Sequence, residues 1–212
     1  AKDYLVFYQD QHFGNTSNPG CIQPFAISDD GESIFLRSAD PQSQLTGYSQ
    51  QVSFGPSDTN ITFGKYTKST NTEDFTLLST PTPNAANAYP LVGPIVINEI
   101  HYNPTVDNTE FLELRNITST PVTLYDYQRN LPWVINDGVD FTFPNYTTIP
   151  AFGLIIVAQD PVTLAANYSI PKSIQVFKWK DGKLSNGGEE VQLSRPAEID
   201  NSGQQQYYCV DY

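Results

Sequence analysis

Short apolar runs recur along the whole chain, and turn-forming residues separate them. Several runs alternate apolar and polar positions with a period of two, which indicates half-buried antiparallel strands. No stretch of a dozen residues has an apolar period of 3.6 residues, and 16 prolines oppose long helices. The pattern therefore predicts an all-β fold of the sandwich type. The runs are Tyr4–Tyr8, Ser33–Leu36, Ile95–Ile100, Phe111–Leu114, Val122–Leu124, Phe141–Phe143, Leu154–Val157, Val191–Leu193 and Tyr207–Val210.

One segment departs from the strand pattern. Residues 80–90 are mostly small, proline-rich and uncharged, a composition typical of an extended and semi-stiff linker. The sequence therefore predicts three parts: a first domain over 1–80, a linker over 81–93 and a second domain over 94–212.

The two predicted domains share an internal repeat whose order is conserved. The offset drifts from 150 (154 − 4) to 158 (210 − 52), as loop insertions would produce. The matching pairs are Tyr4–Asp10 with Leu154–Asp160, Ser28–Leu36 with Ser185–Leu193, and Val52–Phe54 with Val210–Tyr212.

The repeat is incomplete, because residues 94–153 have no counterpart in the first copy. The first copy therefore corresponds to the second half of the repeated unit. Half a sandwich leaves one sheet uncovered and strand edges unpaired, which invites pairing with another strand. We expect that the protein extends upstream, or that another segment or chain completes the first copy.

Motifs over the second domain carry a family resemblance. Ile95–Pro104, Glu110–Asn116 and Pro121–Leu124 resemble the opening of a lamin tail domain of the bacterial extracellular type. Residues 1–88 resemble the second half of such a domain with its tail. The resemblance implies an immunoglobulin-like β-sandwich with no catalytic residues, of a kind appended to secreted or surface proteins. Later motifs that continue the pattern are Phe143–Pro144, Ile149–Gly153, Leu184–Glu189 and Val210–Tyr212.

Charge narrows the choice of partners. The chain has 11 Lys+Arg against 23 Asp+Glu, a formal net charge of −12, so it lacks the basic face that nucleic-acid binding requires. It has no run of 18 apolar residues, so no membrane span is predicted. Charged residues make up only 16%, and a surface rich in Asn, Thr and Tyr instead is common in extracellular β-proteins. We expect an extracellular or cell-surface location.

The two cysteines, Cys21 and Cys209, allow one intrachain disulfide. The repeat aligns Cys209 with Gln51, on the polar face of its strand. An exposed thiol in an oxidising compartment would be bonded, so a Cys21–Cys209 bridge is predicted, within or between chains. The alternative is two unpaired, partly buried cysteines.

Five Asn-x-Ser/Thr sequons are candidate glycosylation sites if the source organism glycosylates exported proteins. They begin at Asn15, Asn60, Asn116, Asn145 and Asn167.

The sequence contains no constellation typical of an enzyme. It has no Gly-x-Ser-x-Gly elbow, phosphate loop or Cys-x-x-Cys. His12 and His101 lie in different copies and lack partner ligands. The carboxylate pairs have no spacing that favours catalysis; they are Glu110 with Glu113 and Glu189 with Glu190. We expect no catalytic or metal-binding residues.

Calcium is a weaker candidate as a cofactor. Two loops gather oxygen ligands, but neither has the spacing or ligand count of a known Ca²⁺ loop. The residues are Asp29, Asp30 and Glu32 in one loop and Asn136, Asp137 and Asp140 in the other.

The leading hypothesis is a non-catalytic extracellular module for structure or adhesion. Its sharper form is a self-assembling filament or surface-layer subunit, in which strands of a neighbouring copy or domain complete the first copy. The alternative is an accessory domain of a larger secreted hydrolase, or a carbohydrate-binding domain with a glycan as partner. The aromatic candidates for glycan contact are Tyr125, Tyr127, Trp133 and Tyr146.

Overall fold

A computed structural model describes residues 4–212, and the chain divides into two compact units, Ala1–Leu91 and Val92–Tyr212. Strands dominate both units, as the alternating pattern predicts. The two units meet between Leu91 and Val92, within the predicted linker of residues 81–93. The predicted division into domains 1–80 and 94–212 stays a prediction.

The second unit contains thirteen strands and one short helix. In chain order they are β5 (Ile95–His101), β6 (Phe111–Asn116), β7 (Val122–Thr123), β8 (Tyr125–Asp126), β9 (Leu131–Pro132), β10 (Val134–Asn136), β11 (Val139–Thr142), β12 (Thr148–Ile149), β13 (Leu154–Ala158), α1 (Pro161–Asn167), β14 (Gln175–Lys178), β15 (Asp181–Gly182), β16 (Gln192–Ile199) and β17 (Gln205–Asp211).

Two sheets of this unit enclose one apolar core. The first has the strand order β14-β13-β6-β5 and the second β15-β11-β10-β16-β17. Both sheets contribute side chains that are fully or almost fully buried, so the unit is the predicted immunoglobulin-like β-sandwich. Core members from the two sheets include Leu112, Ile155, Val157, Ile135, Phe141 and Leu193.

Strand β13 is the most enclosed strand of the second unit. It pairs antiparallel with β6 and parallel with β14. Ile155 and Val157 face the main core, while Ile156 and Ala158 pack with Leu164 of helix α1. Burial on both faces explains why this strand is a continuous apolar run rather than an alternating one.

The turn between β10 and β11 follows from its sequence. Asp137 and Gly138 have φ values of +58° and +67°, both in the left-handed region. Asp tolerates this region and Gly adopts it at no steric cost, so the Asp-Gly pair allows the chain to reverse direction between β10 and β11.

The first unit contains a π-helical turn (Gln9–Phe13) and two hairpins. Each hairpin is a separate two-stranded sheet. The four strands are β1 (Glu32–Ala39), β2 (Leu45–Phe54), β3 (Thr62–Thr67) and β4 (Glu73–Leu78).

The first unit has almost no core. Among its described residues, Leu78 is the only large apolar side chain that is buried. Phe54 of β2 contacts Phe63 of β3, with ring centroids 5.5 Å apart, but two hairpins with so little buried apolar surface are marginally stable by themselves. The two units therefore differ sharply in how far their apolar residues are covered.

Part of the predicted linker is folded against the first unit. The chain returns along β4, where the N–H of Ser79 donates to the carbonyl of Tyr89 at 2.9 Å and that of Leu91 to Leu77 at 2.8 Å. The amide of Asn87 donates to the carbonyl of Lys65 in β3 at 2.9 Å. Hydrogen bonds thus hold residues that composition alone assigned to an extended linker.

The apolar run Tyr4–Tyr8 is not a strand, contrary to its sequence pattern. The run lacks a ladder partner among residues 4–91. The prediction was wrong because a strand requires a neighbouring strand as well as a suitable pattern.

Candidate functional site

The run Tyr4–Tyr8 presents large apolar side chains to solvent. Leu5 is 78% exposed and Phe7 58% exposed, with Tyr4 and Tyr8 also exposed. A contiguous apolar surface of this kind marks an interaction site more often than a single exposed Leu does.

The matching strand of the second unit shows what covers such a run. The repeat aligns Leu5 with Ile155 and Phe7 with Val157, both 0% exposed. There β6 and β14 flank the strand and the opposite sheet covers it. The same pattern is therefore enclosed in one unit and uncovered in the other.

The β1–β2 hairpin is a second uncovered feature of the first unit. Each of its strands has one partner among the described residues, so both outer edges lack a ladder. Exposed apolar side chains line it, and hydroxyl pairs join its strands, such as Ser33 with Ser53 at 2.7 Å. Free edges beside apolar side chains are templates for another strand. The exposed side chains are Phe35, Leu36, Leu45 and Tyr48.

Three tyrosines form a cluster on the second unit, here named the tyrosine platform (Tyr125, Tyr127, Tyr146). Ring centroids are 4.4 Å apart for Tyr125–Tyr146, 5.4 Å for Tyr125–Tyr127 and 5.9 Å for Tyr127–Tyr146. Tyr125 is buried, whereas Tyr127 is 70% and Tyr146 56% exposed. The hydroxyl of Tyr125 donates to Oδ1 of Asn130 at 2.5 Å, and burial raises the pKa of Tyr125, which favours the protonated donor.

The turn that carries Tyr127 is fixed by ionic and backbone contacts. Oδ1 of Asp126 accepts from the N–H groups of Gln128 and Arg129 at 2.9 Å each. The guanidinium of Arg129 donates to Asp126 at 2.7 Å and also to Glu198. Burial alone would raise the pKa of Asp126, but the hydrogen bonds from Arg129 outweigh it and hold that pKa below its usual range. The carboxylate is therefore charged at neutral pH, and the turn is held in place.

Tyr146 has a strained backbone, with φ of +64°. A bulky residue in the left-handed region costs about 1–3 kcal/mol and persists where the surroundings fix it. Here Thr147 closes the loop, since its N–H and hydroxyl donate to the carbonyl of Pro144 at 3.1 and 2.7 Å. Sequence reasoning predicted the ring at this surface but not the strain.

Trp133 does not belong to this surface. It is 7% exposed and lies in the main core, so the expectation that it could contact a glycan was wrong. Its indole supplies core volume beside the platform rather than an exposed face.

The cysteines are free thiols in different units. The thiol of Cys21 donates to the carbonyl of Phe13 at 3.3 Å. Burial raises the pKa of Cys209 to about 12, and the charges of Asp211 and Glu190 add to the effect. Because the thiolate is the reacting form in disulfide exchange, this environment makes Cys209 slow to react. The Cys21–Cys209 bridge stays a prediction.

We expect Cys209 to resist alkylation near neutral pH. With a pKa of about 12, only about one thiol in ten thousand is ionised at pH 8, and the rate rises about tenfold per pH unit up to that pKa. Iodoacetamide labelling of a Cys21→Ser variant, followed by mass spectrometry, measures this. A labelling rate at pH 8 equal to that of the same variant in denaturant would contradict the expectation.

The sequons differ in accessibility. Asn60, Asn145 and Asn167 are exposed and Asn15 is partly buried, so these four stay predictions. Asn116 is 0% exposed and its side-chain amide is fully engaged. A glycan on Asn116 is incompatible with the folded second unit.

Asn116 instead joins the loop that follows β6 to the end of β12. Its Nδ2 donates to the carbonyls of Thr120, Ile149 and Pro150 at 2.7, 3.1 and 3.0 Å. Its Oδ1 accepts from the N–H and hydroxyl of Thr118 at 2.9 and 2.7 Å. The sequon threonine therefore serves the same structural network.

The candidate acid–base groups have structural contacts. Buried Glu110 accepts from the N–H of Leu184 at 3.0 Å, and Glu113 accepts from the amide of Asn98 at 2.6 Å. Glu189 accepts from the N–H of Ser185. His12 accepts from the N–H of Tyr8 at 2.9 Å.

His101 packs edge-on against Phe111 and Tyr168, with ring centroids 5.2 and 6.0 Å away. It lies in the second unit, whereas His12 lies in the first. No group of three or more His, Cys, Asp or Glu side chains within residues 4–212 is arranged to hold a metal ion. Calcium binding stays an untested prediction.

Asp211 makes a structural hydrogen bond that the sequence analysis did not predict. Its Oδ2 accepts from the N–H of Ile97 at 2.6 Å, where the register of β5 against β6 shifts between Ile97 and Glu99. Burial raises the pKa of Asp211, while hydrogen bonds from Ile97 and Tyr212 act in the opposite direction. Asp211 thereby joins the last strand of the sandwich to the first, and its place in the Val-Asp-Tyr motif was the available signal.

Comparison with known proteins identifies one family match. The family model described as the lamin tail domain matches residues 90–206, which is 117 residues (206 − 90 + 1) of 212. No curated protein matches the chain. Among the described residues, no helix is long and apolar enough to cross a membrane.

Proposed function

The chain belongs to the lamin tail domain family, and from that premise we propose that it is an extracellular assembly module. The family consists of non-catalytic immunoglobulin-like domains, which fits a structural or interaction role. The proposal extends that role to self-assembly through the first unit.

Element order supports reading the first unit as half of a second lamin tail domain. In the second unit β13 is followed by α1 and later by the β16–β17 hairpin. In the first unit the apolar run Tyr4–Tyr8 is followed by a π-helical turn and later by the β1–β2 hairpin. The sequence repeat links these same segments.

The observation that carries the proposal is the exposure of Leu5 and Phe7 where their counterparts are fully buried. Covering apolar surface contributes about 25 cal/mol per Å², and adding a strand to a free edge satisfies its backbone groups. We propose that Tyr4–Tyr8 of one copy pairs with a free edge of the β1–β2 hairpin of the next. This pairing has no counterpart in the second unit, where β13 and the β16–β17 hairpin lie in different sheets.

Such pairing would generate an open assembly. The donor run and the acceptor hairpin are different surfaces of the same unit, so the contact is heterologous and a pair of copies still has one free donor and one free acceptor. A filament or layer forms unless the rotation between copies closes a ring.

Sedimentation velocity of the full chain across low to high micromolar concentration tests the proposal. We expect the weight-average sedimentation coefficient to rise continuously with concentration, without a plateau at the dimer. A single monomeric species at every concentration would overturn self-assembly.

A second candidate function is carbohydrate binding by the second unit. An accessory domain of a secreted hydrolase would have such a role. One observation favours it: Tyr127 and Tyr146 do form an exposed aromatic cluster. Exposed aromatic rings beside polar groups are common in binding sites.

A further inference from the structure

We infer that the tyrosine platform of the second unit binds a neutral polysaccharide built of pyranose residues. This inference rests on the second candidate function above and is independent of assembly by the first unit. It assigns the ligand class and the contact groups to a defined surface.

The exposed rings supply apolar faces suited to sugar rings. Tyr127 and Tyr146 lie within 29° of parallel with centroids 5.9 Å apart. The C–H face of a pyranose is apolar and packs on an aromatic face, which leaves its equatorial hydroxyls at the rim. Tyr125 lies beneath and contacts both exposed rings.

The rim supplies hydrogen-bonding groups without free charge. Gln128 and Asn130 are exposed amides in the same turn. Asn130 uses Oδ1 to accept from Tyr125, and its Nδ2 has no partner among residues 4–212, so it can donate to a hydroxyl. Uncharged amides beside aromatic rings match a polyhydroxylated, uncharged ligand.

Charge excludes anionic ligands from this surface. Arg129 is the cation of the turn, and its guanidinium is already paired with Asp126 and Glu198. The chain as a whole carries a net charge of −12, which repels uronates, sulfated glycans and phosphates. A neutral glycan suffers no such repulsion.

The platform is preorganised for binding. Asp126 fixes the turn that carries Tyr127, and Thr147 fixes the loop that carries Tyr146 in the left-handed region. Rings held in place before binding lose little conformational freedom on contact with a ligand.

Isothermal titration of the full chain with cellohexaose, laminarihexaose, xylohexaose and mannohexaose tests the inference. We expect binding to at least one of them, and a loss of about tenfold in affinity for Tyr127→Ala or Tyr146→Ala, as for one aromatic contact. Tyr127→Phe keeps the ring face and should keep most of the affinity. Both sites are exposed, so circular dichroism should show unchanged folding.

Phe152→Ala is the matched control. Phe152 is an exposed aromatic of the same unit with φ of +54°, and it lies outside the platform, so its variant should bind as wild type does. The inference is overturned if no hexasaccharide binds, if binding survives Tyr127→Ala/Tyr146→Ala, or if a proline-rich peptide displaces a bound hexasaccharide that Tyr127→Ala still binds. Each variant should sediment as wild type does, so failure here is separable from failure of assembly.

Discussion

Replacing Leu5 and Phe7 with aspartate is expected to abolish self-association of the chain. Both side chains are more than half exposed, so the substitutions remove little buried surface in the isolated unit beyond the contact of Phe7 with the ring of His12. In an assembled state they would place two charges in an apolar interface, which costs several kcal/mol without paired cations. Sedimentation velocity should then report a monomer at every concentration.

The control for this prediction is Val162→Asp. Val162 is 79% exposed on helix α1 of the second unit, so the control places one carboxylate, against two in the donor variant, on an apolar position as exposed as Leu5. We expect Val162→Asp to self-associate as wild type does. Equal loss of association in both variants would assign the effect to net charge rather than to the Tyr4–Tyr8 run.

Asn116→Ala is expected to destabilise the second unit by about 3 kcal/mol or more. The side chain is fully buried and makes five hydrogen bonds. Its loss removes the acceptor of the Thr118 N–H and a donor to three carbonyls, of which those of Pro150 and Thr120 keep one other donor each. Each buried group left unpaired costs about 1–3 kcal/mol before relaxation or water entry. Urea unfolding followed by tryptophan fluorescence measures this, since Trp133 and Trp179 both lie in the core.

Asn167→Ala is the matched control for Asn116→Ala. Asn167 also begins a sequon, but it is exposed and donates only to Thr163 within its own helix. We expect a change of less than about 0.5 kcal/mol, as for ordinary surface substitutions. Comparable losses in the two variants would show that the buried network of Asn116 contributes little.

The local pattern of apolar and polar residues predicted most of the strands. It failed where strand formation depends on pairing with a segment distant in sequence. Leu154–Val157 and Tyr4–Tyr8 have the same apolar pattern, and only the first has β6 and β14 beside it. Strand formation depends on neighbours distant in sequence, which a local pattern does not contain. The helix α1 was missed because seven residues are too few for a helical period to be visible.

The candidate functional residues also depend on contacts that the local sequence does not contain. The aromatic surface was predicted from residue type, and two of its four members, Tyr127 and Tyr146, are exposed as expected. Trp133 is buried because the sandwich needs core volume at that position, which composition does not reveal. Asn116 has the sequence of a glycosylation site, yet burial makes it a structural residue.

Mixing two assembly variants tests the central claim most directly. The donor variant Leu5→Asp/Phe7→Asp keeps an intact hairpin, and the acceptor variant Leu36→Lys/Leu45→Lys, altered at two exposed hairpin positions, keeps an intact donor run. Each should be monomeric alone, and an equimolar mixture should sediment as a one-to-one heterodimer that grows no further. A mixture that stays monomeric, or single variants that still assemble, would contradict strand pairing between Tyr4–Tyr8 and the β1–β2 hairpin.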